Sequence, residues 1–166
     1  MPDDIVIEHP NRKKAASKAT RFMVLVLLLV SAFLIALITL TAWDQLLGAR
    51  AVQVIFIIIY LVLAWQVARW SRGVLPVSAA LGIVMLIFAL VSVPGWFERD
   101  KPGFTDPALP ADVIGMLTAL LIPIQLLLIV FAMRGFQQAW NVEVEHPADE
   151  RRPRQDPGGG PAPAAA

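Results

Sequence analysis

The sequence predicts an all-α integral membrane protein, a bundle of four antiparallel transmembrane helices with short loops and disordered cytoplasmic tails. Three observations predict it. Hydrophobic residues make up 57% of the 166 and charged residues only 16%, against roughly 45–50% and about a quarter in a globular chain. The charges avoid four stretches almost entirely, each close to the ~20 apolar residues that cross a hydrocarbon core of about 30 Å. Finally, the segments separating those stretches are alternately rich and poor in Lys and Arg. A soluble chain of this length has too little interior to bury so much apolar surface.

Taken in order, residues 1–20 read as a basic cytoplasmic tail. The first span covers about 22–43 and holds no charged side chain; the second, about 51–70, carries Arg69 in its last turn. The third, about 75–97, is again uncharged, and the fourth covers about 112–133, with Asp112 suited to a helix N-terminus. Residues 21–140 thus form the membrane domain. Runs such as Val24–Val30 do not alternate in polarity, as the strands of a transmembrane barrel would. Basic residues before the first apolar run resemble a signal peptide. That run exceeds the roughly 7–15 residues of a signal core and lacks a small-residue cleavage site, so it reads as a retained anchor. Between spans three and four, Glu98–Ala111 contains Pro102, Pro107 and Pro110 and reads as a set of turns. Residues 141–166, rich in Pro, Ala, Gly and Arg, read as a disordered tail.

Orientation follows from the cations. Arg12, Lys13, Lys14, Lys18 and Arg21 precede span one, Arg69 and Arg72 separate spans two and three, and Arg134, Arg151, Arg152 and Arg154 follow span four. Only Arg50, Arg99 and Lys101 fall in the alternate segments. Because cytoplasmic segments retain Lys and Arg, both termini are expected in the cytoplasm of a cell whose inner (plasma) membrane holds the bundle. Trp43, Trp70, Trp96 and Trp140 lie at or beyond span ends, the depth that amphipathic rings prefer, while Trp65 lies about one turn inside. The segment Arg134–Trp140 is expected to prolong the fourth helix, with Phe136 and Trp140 on one face.

Function is bounded mainly by exclusion. Cysteine is absent, which removes disulfides, thiolate metal sites and thiol nucleophiles. Net charge is +1, so no basic field recommends nucleic acid as a partner. No Asp, Glu, Lys, Arg or His lies in the middle of a span, where proton relays and ion pathways place them. No phosphate-binding loop, metalloprotease or nucleophile-elbow motif occurs. Hence no catalytic, cofactor-binding or metal-ligating residue is nominated and no enzymatic activity is expected. The expected partners are the lipid bilayer and either a second copy or another membrane protein.

Polar side chains near mid-depth are the candidates for a role: Ser31 in span one, Tyr60 in span two and Gln125 in span four. Counted from the same side, Tyr60 and Gln125 fall within about three residues, roughly 5 Å of rise. They suit interhelical hydrogen bonds or the lining of a small pocket. Pro123 removes a helix hydrogen bond and is a candidate kink. Ala32 and Ala36, Ser78 and Gly82, and Gly115 and Ala119 have the small-xxx-small spacing of close helix contacts. The tails carry an echo. Ile5-Val6-Ile7-Glu8-His9-Pro10 resembles Val142-Glu143-Val144-Glu145-His146-Pro147, which admits coincidence, strand pairing of the tails, docking on a partner or a two-histidine metal site. The resulting expectation is a non-catalytic accessory, scaffold or assembly subunit. The alternative is a small channel or facilitator for a small solute, and an enzyme acting on lipid is a third class.

Overall fold

An uncharged run of Leu, Ile, Val and Ala satisfies all its backbone polar groups only as a helix, and that local demand generates most of this structure. A computed structural model describes residues 5–99 and 107–147. In chain order it contains strand β1 (Ile5–Glu8), the short helix α1 (Pro10–Lys13), α2 (Ala15–Thr41), a 3-10 turn (Trp43–Leu46), α3 (Arg50–Ala68), α4 (Val74–Phe97), α5 (Ala111–Gln137) and strand β2 (Val144–Pro147). Four helices, α2 to α5, are long and apolar enough to cross a membrane.

The helix centres fall where expected and the ends differ. Helix α2 starts at Ala15, so part of the expected tail is helical; α5 runs on to Gln137, which gives the expected prolongation of the fourth helix as far as that residue. Both extensions are polar or basic turns added to apolar runs, and an existing helix propagates more readily than it nucleates. The tail from residue 141 was expected to be disordered; instead Val144–Pro147 forms a strand. Residues 148–166 and the turn-rich segment 100–106 lie outside the described residues.

Helix α2 packs on α3 and α5, and α5 packs along α4, whereas α3 and α4 touch sparingly. The core is a column of Val24, Leu28 and Ile35 from α2, Tyr60 and Val67 from α3, Leu75 from α4, and Ile114 and Leu128 from α5. The α4–α5 contact is close because two glycines permit it. A methyl group at Gly82 would lie 3.2 Å from Ile129, and one at Gly115 would lie 3.1 Å from the Phe97 ring. Outside this core the surface inverts the usual pattern. Phe33, Leu40 and Val91 are 66%, 73% and 74% exposed, and such apolar cover over whole helix faces suits lipid rather than water.

Both tails meet at one end of the bundle. β1 and β2 pair antiparallel with Ile5 opposite Pro147 and Glu8 opposite Val144. Of the readings the echo admits, strand pairing of the tails is the one that forms, and the two Glu-His-Pro segments are not equivalent in it. In the first, Glu8 ends the strand and Pro10 opens α1; in the second, all three residues lie in β2. Proline suits both positions, since neither a first helical residue nor a strand end needs its N–H.

Candidate functional site

Helices α2, α3 and α5 each project one polar side chain into the core at the same level, and the three form a chain. The Tyr60 hydroxyl donates to Gln125 Oε1 at 2.9 Å. Gln125 Nε2 donates to Ser31 Oγ at 2.9 Å, and the Ser31 hydroxyl donates to the Leu27 carbonyl at 2.7 Å. All three side chains are fully buried. The structure therefore brings together every polar candidate named from sequence. Gly82 on α4 closes the fourth side, since a side chain there would stand 3.6 Å from Gln125 Oε1.

Chemically, this is a linear relay of donors ending on a main-chain carbonyl. Ser31 gives its proton back to its own helix, which is the usual way a helix interior satisfies a hydroxyl. Gln125 is the hub, donating to α2 and accepting from α3. Pro123 stands inside α5, which continues without interruption from Ala111 to Gln137, and its side chain is exposed. It does not reach the polar chain, and its position lends a gate no support. A second polar contact escaped sequence reasoning. The Thr39 hydroxyl of α2 lies on both the Ile35 carbonyl and Gln53 Oε1 of α3, one hydrogen shared between two acceptors.

Beyond this second contact, away from the tails, lies a cavity of about 300 Å³. Its floor is formed by Ile35, Phe56, Met85, Ala89, Trp96 and Leu121, from all four long helices. Ser31, Tyr60 and Gln125 do not line it; Phe56 does, and packs edge-on against Tyr60 with ring centroids 6.0 Å apart. The space is open on one side, between α3 and α4. No sequence signal announces this space, because it arises where α3 and α4 fail to meet.

The tail end of the bundle is built from cations on carbonyls and rings. Arg21 donates to the carbonyls of Val67 and Ala68 at the end of α3. Arg72 donates to that of Phe136 near the end of α5 (2.8 Å). Asn11 and Arg12 hold the carbonyls of Ala139 and Trp140. Each reaches a carbonyl at or just beyond a helix C-terminus, and Arg21 and Arg72 there also meet the negative end of a helix dipole. Trp70 takes the left-handed conformation that ends α3, φ 63°, and its ring lies 4.4 Å beneath the Arg21 guanidinium and edge-on to Trp140 at 5.5 Å.

Trp140 differs from expectation. It is not on a prolonged helix beside Phe136. Ala139, at φ 48°, turns the chain back, and Trp140 becomes fully buried against Gly135. Its Nε1 donates to Gln138 Oε1 (3.0 Å), and Gln138 Nε2 donates to Thr20 Oγ1 (3.0 Å). His9 Nδ1 is buried with no hydrogen-bond partner. The side chains of residues 145–147 lie outside the described residues, and with them the reading of the two histidines as a metal site. Comparison with protein-family models, curated proteins and solved structures finds nothing that matches this chain.

Proposed function

We propose that the chain is a non-catalytic accessory, scaffold or assembly subunit of the cell inner (plasma) membrane. It crosses the bilayer four times with antiparallel helices and keeps both termini in the cytoplasm. The observation that carries the non-catalytic reading is how the buried polar groups are used. Tyr60, Gln125 and Ser31 bond to one another across three helices and end on a backbone carbonyl. Their hydrogen-bonding capacity goes to holding helices in register. The cation distribution supports the orientation, and the pairing of β1 with β2 at one end is what an even number of crossings requires.

The test is extraction in mild detergent with a C-terminal affinity tag, followed by size analysis and identification of stoichiometric companions. A stable complex with another membrane protein is expected. The channel reading makes the opposite demand. The purified chain alone, in vesicles, would carry a small neutral solute above the protein-free rate, and Gln125→Leu would abolish that flux while leaving the fold intact. That pair of results would replace the proposal.

A further inference from the structure

We propose that the seam between α3 and α4 admits one acyl chain of a bilayer phospholipid into the 300 Å³ cavity, forming a lipid site at the end of the bundle away from the tails. The inference rests on the reading that α2 to α5 cross a bilayer and goes beyond the accessory role.

The position of the mouth comes first. Among the lining residues, Gly48 and Val52 on the α3 side and Phe88 and Ser92 on α4 are exposed, while the floor residues from α2 and α5 are not. The opening therefore lies on the α3–α4 seam, the least contacted in the bundle. It continues onto the exposed apolar band of Ile55, Val84 and Val91. In a bilayer that band faces acyl chains.

Size and polarity select the occupant. A helix with its side chains is about 10–12 Å across, too wide for this space, whereas a cavity near the ~300 Å³ lower end of ligand pockets suits a short run of methylenes. The lining is mainly apolar, and its polar members are few. Thr118 donates to the Ile114 carbonyl at 2.8 Å, Gln53 Oε1 accepts from Thr39, and Ser92 stands at the exposed mouth. Such a surface suits methylenes better than a charged or strongly polar guest. Charge favours a phospholipid over a neutral hydrocarbon. Trp96 lines the cavity, and the Arg99 guanidinium lies 4.6 Å from its ring centroid, a cation just past the end of α4 that a phosphate could pair with.

The experiment uses the full chain in vesicles of phosphatidylcholine carrying a diazirine on one acyl chain, with irradiation and mapping of labelled residues by mass spectrometry. Labelling of Met85, Ala89 and Leu121 is expected alongside that of Ile58 and Leu61, which are exposed or face outward on α3. Ala89→Trp, which fills the floor, should lower labelling of Met85 and Leu121 at least fivefold and leave Ile58 and Leu61 unchanged. Val52→Trp, at an exposed mouth position that tolerates bulk, should do the same without burdening the core. Labelled outer positions with an unlabelled floor in the unaltered chain would overturn the proposal while leaving the membrane reading intact. So would floor labelling that neither variant lowers. Absence of label at both sets of positions would overturn the membrane reading and the lipid site with it.

Discussion

A single amide holds three helices together at the centre of this bundle, and its removal gives the sharpest residue-level prediction. Gln125→Leu conserves apolar volume but removes the acceptor of Tyr60 and the donor to Ser31. Interhelical hydrogen bonds among apolar helices average about 0.6 kcal/mol, so a loss of roughly 1 kcal/mol is expected, read from the midpoint of denaturation in mixed micelles. A loss above about 3 kcal/mol would instead signal an uncompensated buried group. Ala139 predicts the opposite sign. It holds φ 48° with a Cβ, a strain of about 1–2 kcal/mol that glycine avoids; glycine returns roughly half of this through chain entropy. Ala139→Gly should raise stability by up to about 1 kcal/mol. Trp70 sits in a similar conformation, but there the ring engages Arg21 and Trp140, so Trp70→Gly should destabilise.

At the scale of elements, the basic cluster at the start of α2 divides into two kinds of residue. Lys14 and Lys18 are exposed and act through charge, whereas Arg21 closes the carbonyl end of α3. Lys14→Gln with Lys18→Gln should leave the denaturation midpoint unchanged while weakening the orientational bias of the first helix. Arg21→Gln should cost about 1.5–3 kcal/mol, the worth of hydrogen bonds to a charged group. Equal effects of both changes on stability would refute this division. The α4–α5 pair makes a steric prediction. Gly82→Leu cannot be absorbed, because even a methyl group meets Ile129 at 3.2 Å and the Gln125 amide at 3.6 Å. It should separate the helices and break the polar chain together. The core cost should be in the upper part of the ~1–3 kcal/mol range for overpacking.

For the whole molecule, the two tails close the chain into a ring. An isolated two-stranded ribbon is marginal in water; this one is anchored by Asn11 and Arg12 on the carbonyls of Ala139 and Trp140. The register yields a direct check in a chain without native cysteine. Glu8→Cys with Val144→Cys places two thiols on directly opposed strand positions, within the ~4.4–6.8 Å Cα separation a disulfide accepts. Mild oxidation should join them in the inserted protein. Joining of Ile7→Cys to Val142→Cys instead would indicate a slipped ribbon.

What the sequence by itself determined was the number of long helices, their centres and the shared depth of Tyr60 and Gln125. Length, freedom from charge and counting along a fixed rise are local properties, and no neighbour can change them. The tertiary structure alone decided that Ser31 completes the polar chain, that Trp140 turns inward, that Arg12, Arg21 and Arg72 serve helix ends, and that α3 and α4 part to leave a cavity. Each depends on how a helix is rotated about its own axis and which neighbour it faces. In a water-soluble bundle an apolar stripe would reveal that rotation. Here the outward faces are as apolar as the core, as Phe33 and Val91 outside and Leu28 and Leu128 inside show, so hydropathy carries no record of which side faces in. Shape, set by Gly82 and Gly115, and the few buried hydrogen bonds select it instead.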